Sequence, residues 1–219
     1  MKLPLRTLAA TLVTLAPVFI SGHQAPGDGW SVPTPLRATL RPGVATAPDW
    51  LEETVCDRGA ELGQTCDDVA RAVAHEARAA GLDPVLMLAI IEVESAWDSD
   101  AISNRAAHGL MQLQLPTLAD EMAGGGLASA DAHDPLVNVR AGIRYFARLQ
   151  ERFHDPDLAL IAYNAGPNRL AGYLIAERGI PERFWDYPER VRRAERRLRA
   201  RLAATPELVA TVGGEAAGE

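Results

Sequence analysis

One stretch of this chain is apolar on nearly every side. Residues 84–97 (PVLMLAIIEVESAW) stay apolar up to Ile91 and turn polar at Glu92 and Glu94. A helix that is hydrophobic all round has to be enclosed by others, so this segment is predicted as the central helix of the domain. Asp83-Pro84 marks its start, with Asp as the N-cap and Pro as the first helical residue. The same pair recurs at Asp134-Pro135 and Asp155-Pro156, each ahead of an apolar-rich run of helical character. Thr65-Cys66-Asp67-Asp68 resembles a capping box, and Gly81 suits the position just past a helix end. Helices are expected near 66–80, 84–97, 116–122, 135–152, 156–164, 168–178 and 188–202. Few segments alternate as strands do. Ala, Leu and Arg dominate over β-branched residues, so the domain is expected to be all-α.

The flanks lack such patterning. Residues 1–22 have the layout of an export signal: Lys2 and Arg6, an apolar run from Leu8 to Ile20, then Ser21-Gly22. The run is short for a membrane span and holds Pro17; an uncleaved anchor is the other reading. Residues 23–48 are rich in Pro and Gly and read as a linker, and 204–219 as a disordered tail. The folded domain is expected over 49–203. The two cysteines, Cys56 and Cys66, follow the signal, and in an oxidising compartment such a pair suggests a disulfide. The alternative is two buried thiols; a metal site is a poor fit for so small a ligand set. A formal net charge of −7 argues against non-specific nucleic-acid binding, which rests on phosphate contacts.

Glu92 and Glu94 differ in what they can do. Residues two apart on a helix point about 200° away from each other, so at most one can enter a given cleft. A carboxyl at the end of a buried apolar helix is a candidate general acid, because burial and the helix C-terminus both disfavour its ionised form.

Three downstream segments give Glu94 a context. Glu94-Ser95-Ala96-Trp97, Gly109-Leu110-Met111-Gln112 with Pro116-Thr117, and Ala162-Tyr163-Asn164-Ala165-Gly166-Pro167 occur in order. Asp134-Pro135, Asn138, Gly142, Tyr145 and Leu149 lie between the last two. Together they resemble the catalytic domain of lytic transglycosylases of the soluble, Slt-like type, which has a lysozyme-like fold. The resemblance covers roughly 68–193.

What the resemblance implies is a peptidoglycan lytic transglycosylase with Glu94 as its single acid and base. It would cleave the bond between N-acetylmuramic acid and N-acetylglucosamine and leave a 1,6-anhydro end, with no metal or organic cofactor. Ser95 would hold local geometry or contact substrate. Gly109, Leu110, Met111 and Gln112 would form one cleft wall, with Met111 packing on sugar and Gln112 hydrogen-bonding. Tyr163 would orient Glu94, and Asn164 would contact substrate. The partners implied are glycan strands, with a monomer in the periplasm or cell envelope and a possible envelope-assembly partner.

The sequence leaves the family pattern in two places. Pro116 comes one residue late, and after Ile180-Pro181 the usual tyrosine is displaced, with Tyr187 nearby but out of register. The far wall of the cleft is therefore unassigned. The eight arginines between 183 and 201 read either as a solvated helix face or as a contact for anionic polymer or lipid. A lysozyme-type hydrolase and a non-catalytic glycan-binding scaffold are the competing readings. Asp98 and Asp100 stand close enough to Glu94 in sequence to serve a hydrolase.

Overall fold

A computed structural model describes residues 47–122, 132–176 and 179–204. The expected signal at 1–22, almost all of the 23–48 linker and the tail beyond Ala204 lie outside the described residues. Eight α-helices are described: α1 (Asp49–Arg58), α2 (Cys66–Ala79), α3 (Pro84–Glu94), α4 (Leu115–Glu121), α5 (Pro135–Phe153), α6 (Pro156–Ala165), α7 (Pro167–Ile175) and α8 (Asp186–Ala204). A 3₁₀ turn at Ala60–Thr65 leads into α2, and another at Glu182–Phe184 leads into α8. Strands β1 (Ala107–His108) and β2 (Leu113–Gln114) pair antiparallel.

The three Asp-Pro pairs start helices as expected. Asp83 accepts from Val85 N–H, Asp134 from Leu136 and Val137, and Asp155 from Asp157 and Leu158. Gly81 follows the end of α2 at φ +64°, which a side chain would strain. Its N–H donates to the Arg78 carbonyl, and that of Leu82 to Ala77. This reciprocal pair closes the helix as a Schellman motif.

Thr65 behaves differently. It is no capping box: its hydroxyl donates back to the Leu62 carbonyl, because the 3₁₀ turn runs straight into α2 and leaves Thr65 helical. Four further differences are physical. Helix α1, rich in charge and with only Leu51 and Val55 buried, carries too thin an apolar stripe to announce itself. Helix α3 stops at Glu94 rather than 97, for a reason given below. Helix α7 ends at Ile175. The β1–β2 hairpin has two residues per strand, too few for an alternating pattern.

Every residue of α3 from Val85 to Ile91 is buried. Helix α8 packs most extensively against it, presenting Tyr187, Val191, Ala194 and Leu198 as one apolar stripe. Val191 and Leu198 each contribute roughly 1.5–3 kcal/mol on burial. Helix α2 joins α5 through the buried Glu76, which accepts from Arg144 Nε and Nη2 at 2.9 and 3.0 Å.

Cys56 and Cys66 form a disulfide that ties α1 to the start of α2. It closes a short loop, and the chain-entropy relation assigns such a cross-link about 3 kcal/mol. Cys56→Ser/Cys66→Ser is expected to lose about that much in a denaturant melt; an unchanged midpoint would mean the loop is already ordered without the bond.

Candidate active site

Helix α3 ends abruptly at Glu94, the expected acid. The Ser95 hydroxyl lies 3.3 Å from the Ile91 carbonyl, to which it donates, and accepts from the Trp97 N–H at 3.1 Å. Ala96 and Trp97 then adopt left-handed φ values of +51° and +74°. Two consecutive non-glycine residues in that region cost about 1–3 kcal/mol each. The turn throws the chain away from the helix axis directly after Glu94. Trp97 is nevertheless buried, and its indole N–H donates to Glu92 at 3.1 Å.

The two glutamates have opposite environments. Glu92 takes an ion pair from Arg58 on α1 and a weaker one from Arg197 on α8. Burial alone would raise its pKa, but the hydrogen bonds from Arg58 and Trp97 and the two positive charges hold it below the ordinary carboxylate value. Glu94 is half-buried on another face. Burial raises its pKa to about 7, against a hydrogen bond from Tyr187 and the charge of Arg190, which both pull it down. The Tyr187 hydroxyl donates to Glu94 Oε1 at 2.5 Å. Tyr187 and Tyr163 are both held as neutral phenols, by burial first and by the nearby Glu94 charge second.

Residues 71–179 match the family model described as the transglycosylase SLT domain. The chain belongs to the transglycosylase SLT domain family. It is 36% identical over 116 residues to "Membrane-bound lytic murein transglycosylase F" of Alteromonas mediterranea, which covers 49% of this chain and 24% of that protein. It is 33% identical over 88 residues to "Transglycosylase" of Enterobacteria phage PRD1, covering 40% of this chain and 31% of that one. Among solved structures it is similar to an inactive mutant of lytic transglycosylase Slt from Pseudomonas aeruginosa. That likeness has a TM-score of 0.53 at 25% identity, over 68% of this chain and 26% of that one. The chain thus spans about a quarter of the length of the first curated relatives it matches. The all-α, lysozyme-like fold class agrees with this likeness.

The Gly109–Gln112 segment, the expected cleft wall, is built from the inside. Asn138, fully buried on α5, accepts from the Met111 N–H at 2.7 Å and donates to the His108 and Ala132 carbonyls at 2.8 and 2.9 Å. Gly109 has φ +74°, and a Cβ there would lie 2.5 Å from Asn138 Nδ2. Tyr163 on α6 donates to the Met111 carbonyl at 2.7 Å. Both backbone polar groups of Met111 are therefore spoken for by side chains from other helices.

These contacts revise several expected roles. Tyr163 holds the wall, and the hydrogen bond to Glu94 comes from Tyr187 instead. The Met111 side chain is fully buried against Gly142, where an added Cβ would lie 2.4 Å from Met111 Sδ, so it does not pack on sugar. Leu110 is likewise core. The Gln112 amide donates to the Ala101 and Gly109 carbonyls at 3.0 and 2.9 Å, bracing its own turn at φ +47°. Ser95 shapes the end of α3. Asn164 is exposed.

Sequence reasoning missed Tyr187 as the partner of Glu94. The signal was its presence near the displaced tyrosine of the family pattern, but only the crossing of α8 over α3 brings the two together. The bracing role of Asn138 was equally hidden, although Asn138 itself stood in the pattern. Among the described residues, Cys56, Cys66 and Asp67 are the only close group of metal-ligand type, and the disulfide occupies both sulfurs.

Proposed function

We propose that this chain is a peptidoglycan lytic transglycosylase in which Glu94 is the single acid and base. The observation that carries this reading is a carboxyl poised at about pH 7 at the end of the central helix, held by a neutral phenol. Membership of the SLT family and the names of its relatives supply the substrate class. Such an acid is protonated often enough near neutrality to donate, and its conjugate base is strong enough to take a proton back.

The chemistry then runs without water. Glu94 gives its proton to the glycosidic oxygen as the bond to C1 of N-acetylmuramic acid breaks. The 2-acetamido group of that sugar stabilises the positive charge at C1, which removes the need for a second carboxylate. The sugar's own 6-hydroxyl oxygen bonds to C1, and its proton returns to Glu94. The product is a 1,6-anhydro end, and the enzyme is regenerated. The Tyr187 hydrogen bond orients Glu94 Oε1, and the braced 109–112 segment forms one side of the cleft.

Single-acid chemistry is also favoured over hydrolysis by the setting of the two nearby aspartates. Asp98 accepts from the Asp100 N–H at 2.8 Å within its own turn, and Asp100 is exposed beside His133 at 3.9 Å. Digestion of purified sacculi by the full chain, with product masses, tests the reading: anhydro ends support it, and hydrated reducing ends would replace it with a lysozyme-type hydrolase.

The pH profile gives a second check. Loss of the Glu94 proton removes the acid, so kcat/KM is expected to fall as pH rises through about 7. Tyr187→Phe deletes a bond that favours the carboxylate, so its falling limb is expected at higher pH, with activity lower by roughly ten- to a hundredfold from lost orientation. A limb that stays where it was would exclude Tyr187 as the group tuning Glu94.

The same reading places the enzyme at the wall. Residues 1–22 direct export, 23–48 serve as a tether, 49–203 form the catalytic domain, and 204–219 form a tail. The relatives named as membrane-bound murein enzymes support an envelope location. No helix among the described residues is long and apolar enough to cross a membrane.

A further inference from the structure

Helix α8 carries most of the arginines between 183 and 201, and most of those with a partner serve the fold. Arg192 pairs with Asp157 and Glu195, Arg197 with Glu92, Arg199 with Asp83 and Glu195, and Arg201 with Asp57. Arg190 is placed differently. Its guanidinium lies over the Tyr187 ring at 5.6 Å from the centroid, and Tyr187 holds the catalytic carboxyl. It is exposed and has no carboxylate partner among the described residues.

We propose that Arg190 is a specificity-determining residue that binds a carboxylate on the muramyl unit beside the bond being cut. The proposal rests on the peptidoglycan reading above, since that polymer carries carboxylates on its peptides and, where amidases have removed these, on its lactyl groups. A guanidinium held over an aromatic ring by cation–π attraction keeps its N–H groups for a bidentate acceptor. Arg190 stands one turn from the tyrosine that holds the acid, close enough for its charge to act on Glu94, which puts it beside the sugar that Glu94 would protonate.

The position has a cost that an anion would remove. A cation this close works against keeping Glu94 protonated, and the Arg190 charge does lower the Glu94 pKa. The other groups facing the carboxyl are the neutral phenols of Tyr187 on α8 and Tyr163 on α6. A bound carboxylate on Arg190 offsets its charge, so the substrate itself restores the acid. An uncharged glycan does not.

The test compares the parent with Arg190→Gln and Arg190→Lys on three soluble glycan strands. One carries its peptides, one is amidase-stripped to free lactyl acids, and one is stripped and then converted to neutral methylamides. Arg190→Gln is expected to raise KM by roughly tenfold on at least one charged strand, with kcat within about threefold. On the neutral strand it is expected to lose nothing against the parent and to gain on it above pH about 7, where the Arg190 charge no longer draws the proton from Glu94. Arg190→Lys should recover part of the loss.

An effect confined to peptide-bearing strands assigns the peptide acids, and one confined to stripped strands assigns the lactyl acid. An equal loss on the neutral strand, or no loss on any, overturns the proposal. Binding of the same strands to Glu94→Gln and to Glu94→Gln/Arg190→Gln, read by tryptophan fluorescence, needs no turnover. If the parent cuts none of the strands, the peptidoglycan reading fails. The charge-dependent difference in binding then still decides the role of Arg190.

Discussion

Glu94→Gln is expected to fold normally and to cut glycan at least about a thousandfold more slowly than the parent, because in the proposed reaction one group supplies both proton transfers. The amide keeps the shape and can still accept from Tyr187, so loss of cleavage cannot be laid to a collapsed cleft. Stability supplies an independent reading of the same side chain. Its folded pKa of about 7 lies above the ordinary value of 4.5. Below pH about 4.5 the carboxyl is protonated in both states and burial is fully tolerated. As pH rises from there through about 7, the unfolded chain gives up its proton first, so the folded state loses stability across that window. Gln does not titrate. The variant should therefore gain on the parent from pH 4 to pH 8, by on the order of 2 kcal/mol. Parallel thermal melts at the two pH values check this, and a constant gap would mean that Glu94 is not held protonated by burial. Full activity in Glu94→Gln would move the acid elsewhere.

The largest structural loss is expected at Asn138. Asn138→Ala strips partners from the Met111 N–H and from the His108 and Ala132 carbonyls in a site without exposure. Stranded buried groups and the cavity left behind together cost about 3–5 kcal/mol. In a domain of this size that lowers the melting midpoint by roughly 10 °C. Asn138→Asp refines the test. Its second oxygen would face two carbonyls that need a donor, so a carboxylate is repelled there and a protonated acid is not. Asn138→Asp should melt well below the parent at pH 8 and recover toward pH 4. Melts of the alanine variant within about 1 kcal/mol of the parent would show that the 107–114 hairpin does not depend on this side chain.

How much of this was legible depended on whether the cause was local. Asp83, Asp134 and Asp155 act within three residues of themselves, and Gly81 closes its own helix, so their roles stood in the sequence. The all-round apolarity of α3 likewise named the centre of the domain, and the i, i+2 geometry separated Glu92 from Glu94. What escaped depends on pieces that meet only after packing. The Tyr187 bond to Glu94 spans 93 positions, and the Asn138 bonds to the hairpin span up to 30. Met111 was expected on the surface because its neighbours matched a cleft motif. The absent side chain of Gly142, on another helix, is what lets it turn inward.

On the proposed reading, the acid belongs to the most enclosed helix, while Arg190, the group that would meet the polymer, belongs to the periphery. That division separates two kinds of inheritance. On the proposed reading, exchange of an outlying residue such as Arg190 would shift the strand chemistry tolerated while leaving the placement of the carboxyl on α3 intact. Substitutions at Leu88 or Ile90, which touch no sugar, would instead be felt as changes in reactivity.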